Sequence, residues 1–380
     1  MQAVPRKRAA QQAAAHPLRR FVVIAGDQRA HLKLNPSTST ASLFALARPS
    51  NNSSSAARVR SPALRAARVH WASGSFSSTS WPPANSGIRL GAAMDEGVAG
   101  WKSVSDTLLI PLYCRAMETL EQEPIIRDPK AVGMLNEMRR ELASSDKPIH
   151  RKVVHDRYNR KLLVTIALRS RRFDRYASEF MAAHPGATVV TIGCGLDSRF
   201  ERIDDGRVRW FDLDFPEVIE IRKRYFRETD RCRFLPYSAL DYRWMDEVKT
   251  AAAGPVLFLA EGVFMYLEEE AVKGLVLKLR DEFPGSELVF EITNRYWVKK
   301  MKSAWMRWKF SRQLGIGEEA MFRFGIDGYR EIEKWGTGIR FLDEWTYFDD
   351  DEKKLGWFNL FRRMELLRKV QWTLHFQLGE

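Results

Sequence analysis

Hydrophobic and polar positions follow three different regimes along the chain. Residues 1–93 keep no sustained period. Stretches such as RPSNNSSSAARVRSPALRAARV (48–69) and SGSFSSTSWPPANSG (73–87) are rich in Ala, Ser and Arg, and they predict mostly disordered chain. From Trp101 the apolar positions recur at helical spacing. Helices are predicted over 103–123, behind a Ser/Asp N-cap, over 130–143 and over 155–185, where Pro185-Gly186 stops the run.

Beyond 185 short apolar runs alternate with helical stretches. TVVTIG (188–193), VRWFDLD (208–214), RFLPYS (233–238), VLFLAE (256–261) and SELVFEI (286–292) read as strands buried on both faces. The helical stretches are 215–229, 242–253 and 268–283, followed by the basic, aromatic run NRYWVKKMKSAWMRWKFSRQLG (294–315). Two more strands, 338–351 and 369–378, end the chain. Such alternation predicts an α/β fold: a parallel sheet with helices on both sides, closed by a C-terminal antiparallel hairpin.

The net charge of +13 suggests nucleic acid until it is located. Residues 1–93 hold thirteen Lys/Arg and one acid, Asp27, so the remainder is almost neutral. No nucleic-acid contact is therefore expected through the domain. The basic segment reads as an organelle transit peptide, as translated upstream sequence before a start at Met94, or as a functional tail. The expected location is intracellular: cytoplasmic, or organellar if a transit peptide is present. The longest early apolar run, FVVIAG (21–26), is too short to span a membrane, and none is expected as partner. Three cysteines, Cys114, Cys194 and Cys232, have no C-x-x-C spacing, and seven scattered histidines form no metal motif, so no metal is predicted.

The chemistry concentrates where the first strand ends, at Gly193-Cys194-Gly195. Glycines there let a ligand approach the backbone, and an acid ending the second strand takes ribose hydroxyls. Asp212 and Asp214 both stand at that place. Ser198 replaces the third glycine of a dinucleotide turn, and Asp197 would repel a pyrophosphate. A ribose ligand with cationic or zwitterionic character, such as S-adenosyl-L-methionine, fits better.

GCGLDSRFER followed by WFDLDFPEVIEIR resembles the leucine carboxyl methyltransferase family, in particular its microbial, polyketide O-methyltransferase-like branch. RDPKAV (127–132), ALRSRRFD (167–174), SALDYRWMDEV (238–248), LAEGVFMYL (259–267) and GIRFLDEWTYF (338–348) stand in the family's order. The resemblance implies a Rossmann-like seven-stranded methyltransferase sandwich over 94–380, with a helical lid at 101–185 and the core at 186–380. It also implies an S-adenosyl-L-methionine site. Arg169 matches the arginine for the methionyl carboxylate. Gly193, Cys194 and Gly195 form the turn beside the methionyl group. Asp214, with Asp212 as the alternative, matches the ribose acid. Asp241 and Tyr242 match the adenine contacts, and Glu261 the acid near the amino group. Thr191 stands where many methyltransferases carry an acid, and the arginine block reads RS rather than RT.

The activity so implied is methyl transfer to a hydroxyl or carboxyl oxygen of a small molecule. A protein C-terminal carboxyl methyltransferase, a nucleotide-binding oxidoreductase and a non-catalytic sensor are the alternatives. A carboxylate acceptor needs no base, whereas an alcohol or phenol does. His155, Asp156 and Tyr158 are the candidate bases, with His150 and His155 equally readable as solvated. Tyr296, Trp297, Trp305 and Trp308 read as an acceptor wall or as core. The acceptor and the oligomeric state are not legible.

Overall fold

A computed structural model describes residues 22–25, 28–31 and 106–379, apart from 253 and 316–320. The chain divides into two units, 1–88 and 89–380. In the first, Val22–Ala25 and Gln28–His31 pair antiparallel. The rest of the disorder expected over 1–93 lies outside the described residues.

The second unit holds a seven-stranded sheet. Its strands are β1 (Thr188–Ile192), β2 (Arg209–Asp214), β3 (Cys232–Pro236), β4 (Val256–Ala260), β5 (Ser286–Thr293), β6 (Ile339–Trp345) and β7 (Gln371–Leu378). They lie in the order β3-β2-β1-β4-β5-β7-β6, with β1 to β5 parallel and β7 antiparallel to both neighbours. This is the α/β methyltransferase sheet that the sequence implies. The final two strands pair antiparallel as the expected C-terminal hairpin, with β7 lying between β5 and β6. Every residue of β1 and β4 is buried, as a central parallel strand covered on both faces requires. Strand order reverses between β1 and β4, and a crevice opens outside their carboxyl ends.

Four helices precede the sheet: α1 (Leu109–Thr119), α2 (Pro129–Leu142), α3 (Pro148–Val154) and α4 (Arg160–Ala183). The single helix expected over 155–185 is interrupted before Arg160. Asp156 takes φ 53°, and Asn159 caps α4 by accepting the Leu162 N–H at 2.9 Å. Nor does a Ser/Asp cap start α1. Asp106 instead receives Lys147 Nζ at 2.9 Å and faces His150 Nε2 at 2.9 Å. The helices after β1 to β4 are α5 (Arg199–Ile203), α6 (Pro216–Lys223), α7 (Arg243–Ala251) and α8 (Glu269–Glu282). The aromatic stretch forms α9 (Arg295–Met301) and α10 (Ala304–Leu314). Among the described residues no helix is long and apolar enough to cross a membrane.

Candidate functional site

The turn after β1 is built to sit tightly. Gly193 has φ 70° and Gly195 φ 50°, backbone that side chains with a Cβ rarely adopt. A Cβ on Gly193 would lie 2.5 Å from Val263 Cγ2. The N–H groups of Gly193 and Cys194 both donate to the Leu213 carbonyl, at 2.8 and 3.1 Å. Asp214, one residue further, accepts the Gly195 N–H at 2.8 Å and its neighbour Phe215's at 2.8 Å. Burial pushes the Asp214 carboxyl up to about 6.

A cavity of about 280 Å³ lies against this turn. Arg169, Gly193, Cys194, Gly195 and Glu261 all line it. Arg169 arrives from α4, 6% exposed, and donates Nε to Glu261 Oε1 at 2.8 Å and Nη1 to Glu291 Oε2 at 2.9 Å. Burial disfavours its charge, but Glu291 and Glu261 more than offset this and hold its pKa above the ordinary arginine value. Its Nη2 has no partner among the described residues. Glu261, at the end of β4, also receives Ser170 Oγ at 3.1 Å and Arg199 Nη2 at 2.5 Å. Burial works against its charge, and Arg169 and Arg199 overcome it, so its carboxyl sits below the usual range.

Four sequence-derived positions stand outside the lining. Asp212 is 2% exposed, inside β2, where it takes the Trp210 indole N–H at 3.0 Å and Arg222 Nη2 at 2.5 Å. Both oxygens are thus spoken for. Asp214 reaches the turn through the Gly195 N–H. Asp241 is half-buried and pairs with Arg243 two residues on, and Tyr242 packs on the β4–α8 part of the core.

The candidate bases are elsewhere too. Tyr158 donates to the Leu314 carbonyl at 2.8 Å, Asp156 pairs with Arg139, and His155 is exposed. His150 is fully buried between Asp106 and Ser145 rather than solvated. The aromatic run is neither wall nor core: Tyr296, Trp305 and Trp308 are exposed, and Trp297 hydrogen-bonds the Leu366 carbonyl at 2.9 Å.

Sequence reasoning missed a buried ionic network under the cavity. Arg199 spans Asp174 Oδ1 (2.7 Å) and Asp197 Oδ2 (2.9 Å, close but not aligned as a hydrogen bond), besides Glu261. Arg202 joins Asp174, Asp197 and Asp128, and Arg115 joins Asp128 at 2.9 Å. The signal was present: Arg199 and Arg202 stand three apart in GLDSRFER, and Arg115 interrupts the apolar face of α1.

The arrangement discriminates between ligands. It offers an arginine with a spare N–H edge, an acid beside it, and an acid at the end of β2. The start of α5, where a pyrophosphate would sit, is filled by Asp197 and its three arginines, Arg115, Arg199 and Arg202. A model of the family described as leucine carboxyl methyltransferase matches residues 109–279. The tetracenomycin polyketide synthesis O-methyltransferase TcmP of Streptomyces glaucescens is 30% identical over 65% of this chain and 84% of its own. The chain belongs to the leucine carboxyl methyltransferase family. It is similar as well to the S-adenosyl-L-methionine-dependent methyltransferase dpfgK of Gibberella zeae, 26% identical over 76% of this chain and 96% of that one. As a family member it is an S-adenosyl-L-methionine-dependent methyltransferase. The residues present suit that cofactor, with the unpartnered Arg169 Nη2 and the buried, unpartnered Thr191 Oγ1 both on the cavity wall.

Among the described residues the cavity of this methyltransferase holds no group poised to take a proton near neutral pH. Asp197 and Glu261 lie below the usual carboxylate range: burial opposes ionisation, and their arginines outweigh it. Burial pushes Tyr266 up to about 12 and raises the Cys194 thiol well above its ordinary value. No histidine lines it.

Proposed function

We propose that this methyltransferase acts on an oxygen of a small, largely apolar molecule, and that the oxygen arrives already ionised, as a carboxylate or an acidic hydroxyl. The carrying observation is that, among the described residues, no base lines the cavity. Bound S-adenosyl-L-methionine supplies a methyl group activated by its sulfonium, so alignment is the protein's main task. An ionised oxygen needs no proton removed, whereas an alkyl alcohol does. Ile110, Pro111, Leu162, Ile166 and Phe322 give the acceptor side an apolar wall, and Gln313 and Gln371 add neutral donors. The similarity to TcmP, a polyketide synthesis O-methyltransferase, supports an oxygen acceptor.

In this reading Arg169 holds the methionyl carboxylate through Nη2, and Glu261 takes the ammonium. Gly193, Cys194 and Gly195 let the thioether end lie against the backbone. Asp214 takes the ribose hydroxyls rather than Asp212, which Arg222 already occupies. Asp241 and Tyr242 border the adenine. Residues 94–380 form the methyltransferase domain, and α1 to α4, within 101–185, act as its lid.

Incubation with methyl-labelled S-adenosyl-L-methionine and a panel of aromatic polyketides tests the proposal. Label is expected in acceptors carrying a carboxyl or an acidic phenol, and mild base will release it as methanol from the esters. Equal labelling of alkyl alcohols or amines at pH 7 would sink the proposal.

Asp214 adds a pH dependence. Ribose hydroxyls donate to the carboxylate, so the ionised form binds ligand. Affinity is expected to fall as the pH drops through about 6, and to be flat above it. Titrations of S-adenosylhomocysteine between pH 5 and 8 (assay conditions) will show this in the wild type, and Asp214→Asn will flatten the curve.

A further inference from the structure

Glu291 is the more deeply buried of the two acids in β5, 1% exposed, and lies outside the cavity lining. Its Oε2 accepts Nη1 of Arg169 at 2.9 Å, and its Oε1 accepts the Tyr347 hydroxyl at 2.6 Å. Tyr347 follows β6. The guanidinium on the cavity wall is therefore held from behind by two residues distant in sequence, while Glu261 holds its other edge. An ion pair placed this deep is costly unless its geometry serves something.

The charge count gives that geometry a purpose. Direct contacts link Arg115, Arg169, Arg199 and Arg202 with Asp128, Asp174, Asp197, Glu261 and Glu291. The fully ionised network has one carboxylate more than it has guanidinium groups. S-adenosyl-L-methionine carries a sulfonium, an ammonium and one carboxylate, a net single positive charge. S-adenosylhomocysteine lacks the sulfonium and is neutral overall. A wall with one surplus negative charge favours the methyl donor over the demethylated product.

We propose that Glu291, braced by Tyr347, is a positioning residue for Arg169 and supplies the surplus negative charge by which the site prefers S-adenosyl-L-methionine to S-adenosylhomocysteine. This rests on the cofactor site proposed above. Burial raises the Glu291 carboxyl above the usual range, and Arg169 and the Tyr347 hydroxyl oppose that rise.

Calorimetric titration of both ligands into the full chain, its Glu291→Gln variant and its Tyr347→Phe variant tests it. Gln keeps the shape and an acceptor for Arg169 but removes the charge. Glu291→Gln is expected to weaken S-adenosyl-L-methionine by about tenfold and S-adenosylhomocysteine by only two- to threefold or so, lowering the preference ratio. Tyr347→Phe keeps the charge and loses the brace. It is expected to weaken both ligands by a similar factor of roughly three, leaving the ratio intact. A purely structural Glu291 would reduce both affinities equally in Glu291→Gln, and that result overturns the charge role. Should Glu291→Gln not fold, unchanged affinities in Tyr347→Phe would overturn the positioning role. Wild-type protein that bound neither ligand would count against the cofactor site itself, a distinct failure.

Discussion

Arg169→Met is expected to lose both stability and cofactor affinity. The side chain is buried and neutralises Glu261 and Glu291 together. Removing one partner of a buried pair leaves uncompensated charge, at a cost of roughly 3–5 kcal/mol. Glu261 keeps Arg199 and Ser170, and Glu291 keeps Tyr347, so the lower end of that range is expected. The missing bond to the methionyl carboxylate weakens S-adenosyl-L-methionine by about 10- to 100-fold, the worth of a charged hydrogen bond. Urea unfolding and ligand titration read the two losses separately. Arg169→Lys will recover part of the stability but little of the affinity, since an ammonium cannot span both glutamates and a third carboxylate in plane.

Arg199→Met is expected to cost as much stability, with a different pH signature. Arg199 is 1% exposed and touches carboxylates from α4, from the glycine turn and from the end of β4. Burial opposes the charge on Asp197 and Glu261, and Arg199 is among the cations that pull both below their ordinary values. Carboxylates with lowered folded values add stability above their unfolded values, near 4, and lose it as the pH falls further. The variant lacks that contribution. Its deficit, about 3–5 kcal/mol, will therefore be full at neutral pH and shrink below about pH 4. Denaturant titrations of both proteins at pH 7 and at about pH 2.5 check it. A deficit independent of pH would assign Arg199 a packing role alone.

The parallel sheet was legible because its strands are short apolar runs separated by helices, and that pattern has few other solutions. The place of β7 between β5 and β6 was not. Pairing of Ser286–Thr293 with Gln371–Leu378 decides it, and no local period encodes a pairing over that distance. The break before α4 turns on one aspartate in left-handed backbone, which a helical period does not reveal.

For the site, sequence located the glycine turn and the acids at strand ends, but not which charges turn inward. In LRSRRFD the helix directs only Arg169 to the cavity, while Arg171 pairs with Asp350 and Arg172 with Asp343. Asp212 and Asp214 share one face of β2, and depth alone separates them. Asp212 is inside the strand with Arg222, and Asp214 is at its end. Glu291 is the second of two acids in SELVFEI, and its partner Tyr347 could be named only once β6 lay beside β7.

A crystal structure with S-adenosylhomocysteine tests the central claim most directly. The account predicts the ligand's carboxylate on Arg169 Nη2, its ribose hydroxyls on Asp214, and its sulfur facing Ile110, Leu162 and Tyr266. A ribose on any other acid, or an Arg169 still bound only by Glu261 and Glu291 with the ligand in place, would contradict it.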